Sequence, residues 1–226
     1  NRTTRYNYTN GFLISVTDPK GHKISWAHDA KGRVRRQDIH TSAGTQTFTL
    51  SQSYDETGNP DALLYPDNAT ERRYYDKNGN LVRVTEPEGV DTKYTYDALN
   101  RPARMNWPGG SNVFSYDRGG RLARIQSGAD RWNFACNALG QLISETRTMN
   151  GVVSRVRYGY SSSTGNPNAL IYPSGRILRM LYNSSNQIVG LTLDHQPLIS
   201  NITYLPFGPV KSFRAGNMAF NRAYDQ

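Results

Sequence analysis

The sequence predicts an all-β repeat protein in which short antiparallel hairpins form a curved, spiralling sheet. Three observations lead to this fold class. A Tyr-Asp pair with Gly or Asn three residues after the Asp recurs about every twenty residues, which is typical of an array of supersecondary units. Short β-prone runs lie between turns that contain Gly or Pro. No ten-residue stretch has the apolar periodicity of a helix.

The stretch from 75 to 89 shows what each part of one unit contributes. Tyr75 ends a β-prone run, and Asp76 can accept hydrogen bonds from backbone amides two residues further on. Gly79 stands where the turn needs a positive φ, which Gly adopts freely and Asn tolerates. The run 81–85 is short and rich in β-branched residues, as strands are. Pro87 and Gly89 then reverse the chain, so one unit is two strands and two turns.

The turn position recurs along the whole chain. After a degenerate first unit at Asn10, it falls at Gly32, Gly58, Gly79, Asn100, Gly120, Gly140, Gly165, Asn186 and Gly208. The literal Tyr-Asp pairs are Tyr54-Asp55, Tyr75-Asp76, Tyr96-Asp97, Tyr116-Asp117 and Tyr224-Asp225. We therefore predict a single array of about ten units over residues 1–226. Because the last pair opens a further unit, we expect the array to be a segment of a longer protein.

Composition agrees with a sheet whose faces are only partly covered. Hydrophobic residues make up 36% of the chain, and 15 tyrosines supply most of the aromatic surface. Along 81–85, strict alternation places Leu81, Arg83 and Thr85 on one face and Val82 and Val84 on the other. Both faces are then partly apolar, as expected for a two-faced sheet that curls around a space.

The Tyr-Asp-x-x-Gly-x-Leu pattern resembles the YD-repeat, or RHS-repeat, family over essentially the whole chain. The terse units are most similar to bacterial members, namely Rhs proteins and the C components of toxin complexes. The resemblance implies a continuous sheet wound into a hollow shell that encapsulates a C-terminal toxin or effector for delivery. It also implies that the partners are other repeats and the effector of the same parent protein. The expected location is secreted or at the bacterial cell surface.

Several residues resemble catalytic or metal-binding groups but are interpreted as structural. The histidines are too scattered for a metal site, and Cys136 is the only cysteine. The Tyr-Asp pairs recur in many units, whereas an active site is built once. Bacterial members self-cleave near an Asp-Pro-x-Gly motif, but the matching letters at 18–21 occupy a repeat turn. We expect no enzyme, cofactor, metal or membrane-spanning segment.

Two other functions stay open beside the shell. One is a surface module that binds carbohydrate or mediates adhesion, with Trp26, Trp107 and Trp132 as stacking candidates and a glycan as partner. The weaker alternative is a basic β surface that binds polyanions, because the formal charge is +9. Nucleic acid is disfavoured as a partner, since the arginines recur unit by unit and form no single stripe.

Overall fold

The computed structural model describes residues 3–41, 47–206 and 208–224. Every regular element in these ranges is a β-strand, so the predicted all-β class is confirmed. The chain divides into two compact units, unit 1 over residues 1–112 and unit 2 over residues 113–226. No helix in the described ranges has the length and apolarity needed to cross a membrane.

Unit 1 is a meander of antiparallel strands. They are β1 (Arg5–Thr9), β2 (Phe12–Thr17), β3 (Lys23–His28), β4 (Val34–His40), β5 (Thr47–Tyr54), β6 (Pro60–Leu64), β7 (Thr70–Tyr75), β8 (Leu81–Thr85), β9 (Asp91–Tyr96), β10 (Pro102–Trp107) and β11 (Gly110–Tyr116), which continues across the border. From β1 to β10, each strand pairs with the next one along the chain. Pairing is therefore local in sequence, as in a chain of hairpins.

Unit 2 follows the same plan. Its further strands are β12 (Leu122–Ser127), β13 (Asp130–Cys136), β14 (Leu142–Met149), β15 (Val152–Tyr160), β16 (Pro167–Ile171), β17 (Ile177–Tyr182), β18 (Ile188–Leu193), β19 (Gln196–Tyr204), β20 (Val210–Ala215) and β21 (Met218–Asn221). From β12 to β21, each strand again pairs antiparallel with its successor. Within each unit, consecutive turns consequently alternate between the two ends of the strands.

The cross-strand register separates polar from apolar residues, because residues that pair directly lie on the same face of a sheet. In unit 1, one row across β2 to β5 is apolar and consists of Val16, Ile24, Ile39 and Phe48. The row one residue away is polar and consists of Ser15, Ser25, Asp38 and Thr49. In unit 2, the corresponding apolar row across β15 to β18 is Tyr158, Leu170, Leu178 and Leu193.

Bulges beside the turns upset the strict alternation expected from the sequence. Tyr74 pairs with Arg83, whereas its neighbour Tyr75 pairs with Leu81. Val82 is the extra residue of a bulge, which places two residues opposite one. Because Tyr74 and Tyr75 point to opposite faces, so do their partners. The expectation that Leu81 and Arg83 share a face is therefore wrong, and the bulge is the reason.

The sheets have little fully enclosed volume. No large side chain in the described residues is fully buried, and Ala169 is the one apolar side chain among them that counts as buried. Most strand residues are half-buried. Stability must then come from many partly covered contacts between neighbouring strands, as in other repeat architectures where each unit contacts only its neighbours.

Candidate functional site

The recurring structural feature is a hairpin turn that we call the Tyr–Asp turn, shown best by residues 75–80. The Asp76 amide donates to the Asn80 carbonyl at 2.9 Å, and the Gly79 amide donates to the Asp76 carbonyl at 3.0 Å. This pattern is that of a three-residue hairpin loop whose last residue takes positive φ. It recurs at Asp29, Asp55, Asp97, Asp117, Asn137, Asn183 and Leu205. The turn at Ser161 has one more residue, since its amide donates to the Asn166 carbonyl.

The turn residues named in the sequence analysis all lie at positive φ. The values are 79° at Gly32, 98° at Gly58, 80° at Gly79, 57° at Asn100, 80° at Gly120, 82° at Gly140, 74° at Gly165, 59° at Asn186 and 113° at Gly208. At Gly79 the backbone conformation alone favours glycine, because a Cβ there would meet no atom within 4 Å. Residues with a Cβ other than Asn adopt this backbone reluctantly.

Where a Tyr–Asp turn begins with Asp, the carboxylate accepts several hydrogen bonds from within the turn. One carboxylate oxygen of Asp76 accepts from the amides of Asn78 and Asn80, both at 2.9 Å. The other oxygen accepts from the Asn80 side-chain amide at 3.0 Å. These bonds, with that of the Asn80 side chain as the largest cause, lower the pKa of Asp76. The ionised carboxylate therefore stabilises the turn by accepting hydrogen bonds from the turn's own amides.

Among these turn carboxylates, Asp55 has the most strongly lowered pKa. It accepts a hydrogen bond from the Thr57 hydroxyl at 2.7 Å and two from Asn59, at 2.9 and 3.2 Å. The Thr57 hydroxyl is the largest cause that brings the pKa of Asp55 to about 2. Three donors to one carboxylate are enough to explain this direction.

The residue four positions after the acid is a member of the turn that sequence reasoning missed. The guanidinium of Arg33 binds Asp29 at 2.7 Å, and that of Arg101 binds Asp97 at 2.6 Å. Where the acid is replaced by Asn137, the partner is Gln141, whose Oε1 accepts from the Asn137 amide at 2.7 Å. The partners along the chain are Arg33, Asn59, Asn80, Arg101, Arg121, Gln141 and Gln187. Their common trait is hydrogen-bonding complementarity to the first residue of the turn.

The tyrosine before the turn links one hairpin to the previous one. Tyr96 ends β9, and its hydroxyl donates at 2.8 Å to the carbonyl of Leu81, which begins β8. For the tyrosines that end a strand, the acceptor is the first residue of the preceding strand. Tyr224 follows β21, and its acceptor Val210 begins β20. The pairs are Tyr54 with Val34, Tyr75 with Pro60, Tyr96 with Leu81, Tyr160 with Leu142, Tyr182 with Pro167, Tyr204 with Ile188, and Tyr224 with Val210. The hydroxyl explains why Tyr, and not Phe, recurs here.

Side chains also join successive turns within each unit. In unit 1, Arg33 lies over the ring of Tyr54 with its guanidinium carbon 4.1 Å from the ring centroid, which is close enough for cation–π attraction. The Asn80 amide donates to Asn100 Oδ1 at 2.9 Å. In unit 2, Gln141 Nε2 donates to the Gly165 carbonyl at 2.8 Å. The turns thus form interlinked rows along the strand ends.

In two units, the position of the turn tyrosine is occupied by His28 or Cys136. One of the Tyr-Asp pairs, at the end of the chain, is only partly described. His28 fills the tyrosine position of its unit and stacks on Phe12, with ring centroids 5.2 Å apart. Cys136 is half-buried and free. Tyr224 is described, but its neighbour Asp225 lies outside the described residues. Tyr116 and Asp117 precede the turn at Gly120, and Asp117 binds Arg121 at 2.7 Å.

Two of the three tryptophans lie in unit 1 and the third lies in unit 2. Trp26 is on β3 and Trp107 ends β10, both in unit 1. The Trp107 ring covers Gly110, where a Cβ would lie 2.7 Å from it. In unit 2, Arg147 lies over Trp132 at 5.3 Å from the ring centroid. Carbohydrate stacking on these rings stays a prediction.

The remaining polar residues that the structure describes form no recognisable metal centre. In the parts of the chain that the structure describes, no three His, Cys, Asp or Glu residues stand close enough to hold a metal ion. The Asp-Pro-x-Gly letters at 18–21 form the turn between β2 and β3, where the Gly21 amide donates to the Asp18 carbonyl at 3.0 Å. Asp18 also contacts His22 Nδ1 at 2.8 Å.

The chain is similar in sequence to known repeat proteins. The family model described as Teneurin YD-shell matches residues 1–127 and 113–200. A protein of Burkholderia cenocepacia (strain H111), Double-stranded DNA deaminase toxin A, is 33% identical over 150 residues, which are 66% of this chain and 10% of that protein.

Solved structures of toxin-complex proteins share the fold. The TcdB2–TccC3–Cdc42 crystal structure matches with a TM-score of 0.67 at 14% identity. The crystal structure of TcdB2–TccC3 without its hypervariable C-terminal region matches with a TM-score of 0.66 at 15% identity. The Tc holotoxin pore of Photorhabdus luminescens matches with 0.60 at 14%. Each comparison covers 99% of this chain and 16% of the other, so the chain spans a small part of these proteins. Because the family model matches most of the chain, the chain belongs to the YD-repeat, or RHS-repeat, shell family.

Proposed function

We propose that this chain forms part of the wall of a shell that encapsulates an effector polypeptide of the same parent protein for delivery. The observation that carries the proposal is the uniform lattice of Tyr–Asp turns. In both units, hydroxyls of the turn tyrosines join hairpins to the hairpins before them. Such a lattice repeats one interaction many times, which suits a wall, whereas a catalytic site is a single constellation of groups.

The matched proteins support the delivery role. The Burkholderia cenocepacia protein is named a toxin, and the solved structures are of Tc toxin assemblies. They favour a secreted bacterial protein whose partners are other parts of the same toxin complex. The deaminase activity in the relative's name belongs to the whole protein, of which this chain matches 10%. We therefore propose a wall without catalytic activity of its own.

Protease protection of the parent protein tests encapsulation. An epitope tag is placed in the segment that follows the repeats, and trypsin digestion is followed by blotting for the tag. We expect the tag to survive in the native protein and to be cleaved after denaturation. The same tagged segment expressed without the repeats is the control. A tag cleaved equally fast in both proteins contradicts the enclosure.

A wall variant sharpens the test. Tyr54, Tyr75 and Tyr96 are changed together to Phe, which removes three hydroxyl donors and keeps the rings. We expect the tag to become sensitive to trypsin at a lower urea concentration than in the unmodified parent. Equal protection of the tag at every urea concentration would show that these tyrosine hydroxyls do not contribute to the protection of the effector.

A further inference from the structure

The sequence contains three Asn-Gly dipeptides, at 10–11, 78–79 and 150–151. This dipeptide is chemically fragile, because glycine has no side chain to shield its amide nitrogen from the asparagine before it. Asparagine is accordingly among the thermolabile residues of proteins. The structure places the three dipeptides in two kinds of turn, so the chain exposes the same chemistry to two different environments.

Two of the dipeptides form two-residue hairpin turns. Thr9 pairs with Phe12 around the dipeptide 10–11, and Met149 pairs with Val152 around the dipeptide 150–151. Both residues of each dipeptide have positive φ, 51° and 82° in the first turn and 48° and 79° in the second, as a type I′ turn requires. All four residues are exposed, and a Cβ on either glycine would meet no atom within 4 Å. Water therefore reaches both glycine amides.

Few hydrogen bonds hold these two dipeptides in place. Among the residues that the structure describes, the amides of Gly11 and Gly151 donate to no carbonyl or side chain. The side chains of Asn10 and Asn150 likewise have no hydrogen-bond partner there. The Asn150 amide donates to Asp130 Oδ1 at 3.0 Å. The turn at 150–151 is thus tied to a neighbouring strand by one side chain.

The third dipeptide lies in a Tyr–Asp turn and is held by several hydrogen bonds. The Gly79 amide donates to the Asp76 carbonyl at 3.0 Å. The Asn78 amide donates to the Asp76 carboxylate at 2.9 Å, and the Asn78 side-chain amide donates to Asn100 Oδ1 at 3.2 Å. The glycine nitrogen and the asparagine side chain of this dipeptide are therefore both engaged.

We propose that Asn10 and Asn150 are sites of spontaneous covalent modification, at which asparagine becomes aspartate or isoaspartate, and that the Tyr–Asp turn protects Asn78 from the same reaction. The nitrogen of the following glycine loses its proton and bonds to Cγ of the asparagine. The Cγ–Nδ2 bond breaks, and the side-chain nitrogen takes up the proton and leaves as ammonia. The product is a five-membered succinimide ring.

Water then opens the succinimide. Attack at the side-chain carbonyl breaks the new N–Cγ bond and gives aspartate, whereas attack at the main-chain carbonyl breaks the original peptide bond and gives isoaspartate. One water is consumed and one ammonia is released in total, with no oxidation or reduction. The reaction needs no enzyme and no cofactor, and the proposal is independent of the shell function.

The hydrogen bonds of each turn set its rate of conversion. The ring closes only when Cγ of the asparagine faces the next nitrogen, so a hairpin turn must first open locally. Opening is rarer where more hydrogen bonds have to break, and each such bond reduces the open population several-fold. The expected order is therefore Asn10 first, then Asn150, then Asn78.

The modification acts on the hairpin that carries it. Isoaspartate routes the main chain through the side-chain carbon and lengthens the two-residue turn between Met149 and Val152 by one carbon. Because register in a hairpin is fixed by the length of its loop, conversion at Asn150 disturbs the pairing of β14 with β15. Either product also adds a negative charge to the residue whose amide binds Asp130.

Ageing of residues 1–226 in mildly alkaline buffer tests the proposal. Trypsin, used briefly at lower pH, releases the three dipeptides in separate peptides, 6–20, 78–83 and 148–155. Mass spectrometry measures the replacement of the amide by a carboxyl group, and methylation by an isoaspartyl methyltransferase detects isoaspartate. We expect conversion at Asn10 and Asn150 to be at least about tenfold faster than at Asn78 in the folded chain. In guanidinium chloride the three rates should become similar.

A variant of the protecting turn checks the cause. Asp76→Ala removes the carboxylate that binds the Asn78 amide and should speed conversion at Asn78 by at least about fivefold. The rates at Asn10 and Asn150 in the same chain should stay unchanged. The matched control is Asp117→Ala, which removes the carboxylate of a Tyr–Asp turn that contains no Asn-Gly. This control should leave the rate at Asn78 as it is.

The comparison within the unmodified folded chain is decisive without any variant. Equal rates at the three dipeptides, or a fastest rate at Asn78, would overturn the proposal. Conversion of Asn10 and Asn150 only in guanidinium chloride would overturn it as well, because both sites would then be protected by the fold. Acceleration at Asn78 by Asp117→Ala as large as by Asp76→Ala would show that the local carboxylate gives no protection. Rapid conversion at both exposed turns, with Asn78 intact until Asp76 is replaced, would support the proposal.

Discussion

The hydroxyl of Tyr96 lies 2.8 Å from the carbonyl oxygen of Leu81, fifteen residues earlier in the chain. Leu81 is the first residue after the preceding Tyr–Asp turn, so the bond fastens one hairpin to the one before it. Burial of the phenol raises the pKa of Tyr96, and the neutral hydroxyl stays a donor at ordinary pH. The same relation in both units makes the tyrosine a connector between repeats.

Tyr96→Phe removes this donor and keeps the ring. We expect a loss of about 0.5–1.5 kcal/mol in the free energy of unfolding, the usual net value of one hydrogen bond. Tyr94→Phe is the control, because Tyr94 is on the same strand and its hydroxyl has no hydrogen-bond partner in the described residues. Urea melts of both variants measure the difference. Equal losses would show that the bond to Leu81 contributes nothing specific.

Replacing the acid of the turn should have an effect that depends on its partner. Asp97→Asn places an amide donor against the guanidinium of Arg101, which has no acceptor. Asp76→Asn faces the Asn80 side chain, whose amide can reverse and offer its oxygen. We expect Asp97→Asn to lower the urea midpoint more than Asp76→Asn. The native Asn137–Gln141 pair already shows the amide arrangement.

A repair variant checks the cause. Arg101→Gln added to Asp97→Asn recreates the amide pair of the Asn137–Gln141 turn at this position. The double variant should unfold at a higher urea concentration than Asp97→Asn alone. If the second change lowers the midpoint further, the complementarity of the pair is not what stabilises the turn.

The sequence reveals some parts of this lattice and conceals others, for physical reasons. A positive φ can be recognised in the sequence because it favours Gly or Asn at that position, as at Gly79 and Asn100. The acceptor of the Tyr96 hydroxyl is a backbone carbonyl, which every residue possesses and no sequence pattern displays. The residue that pairs with the first turn residue varies among Arg, Asn and Gln, so no single residue type marks its position. It could have been found by comparing the type of the first turn residue with the type four positions later.

The faces of the strands were harder to predict than the strands themselves. Alternation counts residues along one strand, whereas a bulge such as that at Val82 adds a residue without advancing the partner strand.

Asp55 makes its own turn, residues 55–59, sensitive to acid. Its pKa in the folded chain is about 2, below its value of about 3.9 in an unfolded chain. A depressed carboxyl pKa contributes stability that is present above the unfolded value and is lost as pH falls toward the folded one. We expect this contribution to disappear between about pH 4 and pH 2. Carboxyl NMR titration should give a higher pKa for Asp55 in Thr57→Ala, because the largest lowering contact is then gone.

Gly79 offers a test of backbone conformation separated from packing. Its φ is 80°, and a Cβ there would meet no atom within 4 Å. Gly79→Val should therefore lose about 1 kcal/mol or more in unfolding free energy through backbone strain alone. Gly79→Asn adds a side chain of similar size, yet Asn occupies the equivalent positions 100 and 186 at φ of 57° and 59°. We expect Gly79→Asn to unfold at a clearly higher urea concentration than Gly79→Val. If the two variants lose the same stability, the side chain itself and not the left-handed backbone sets the requirement for glycine.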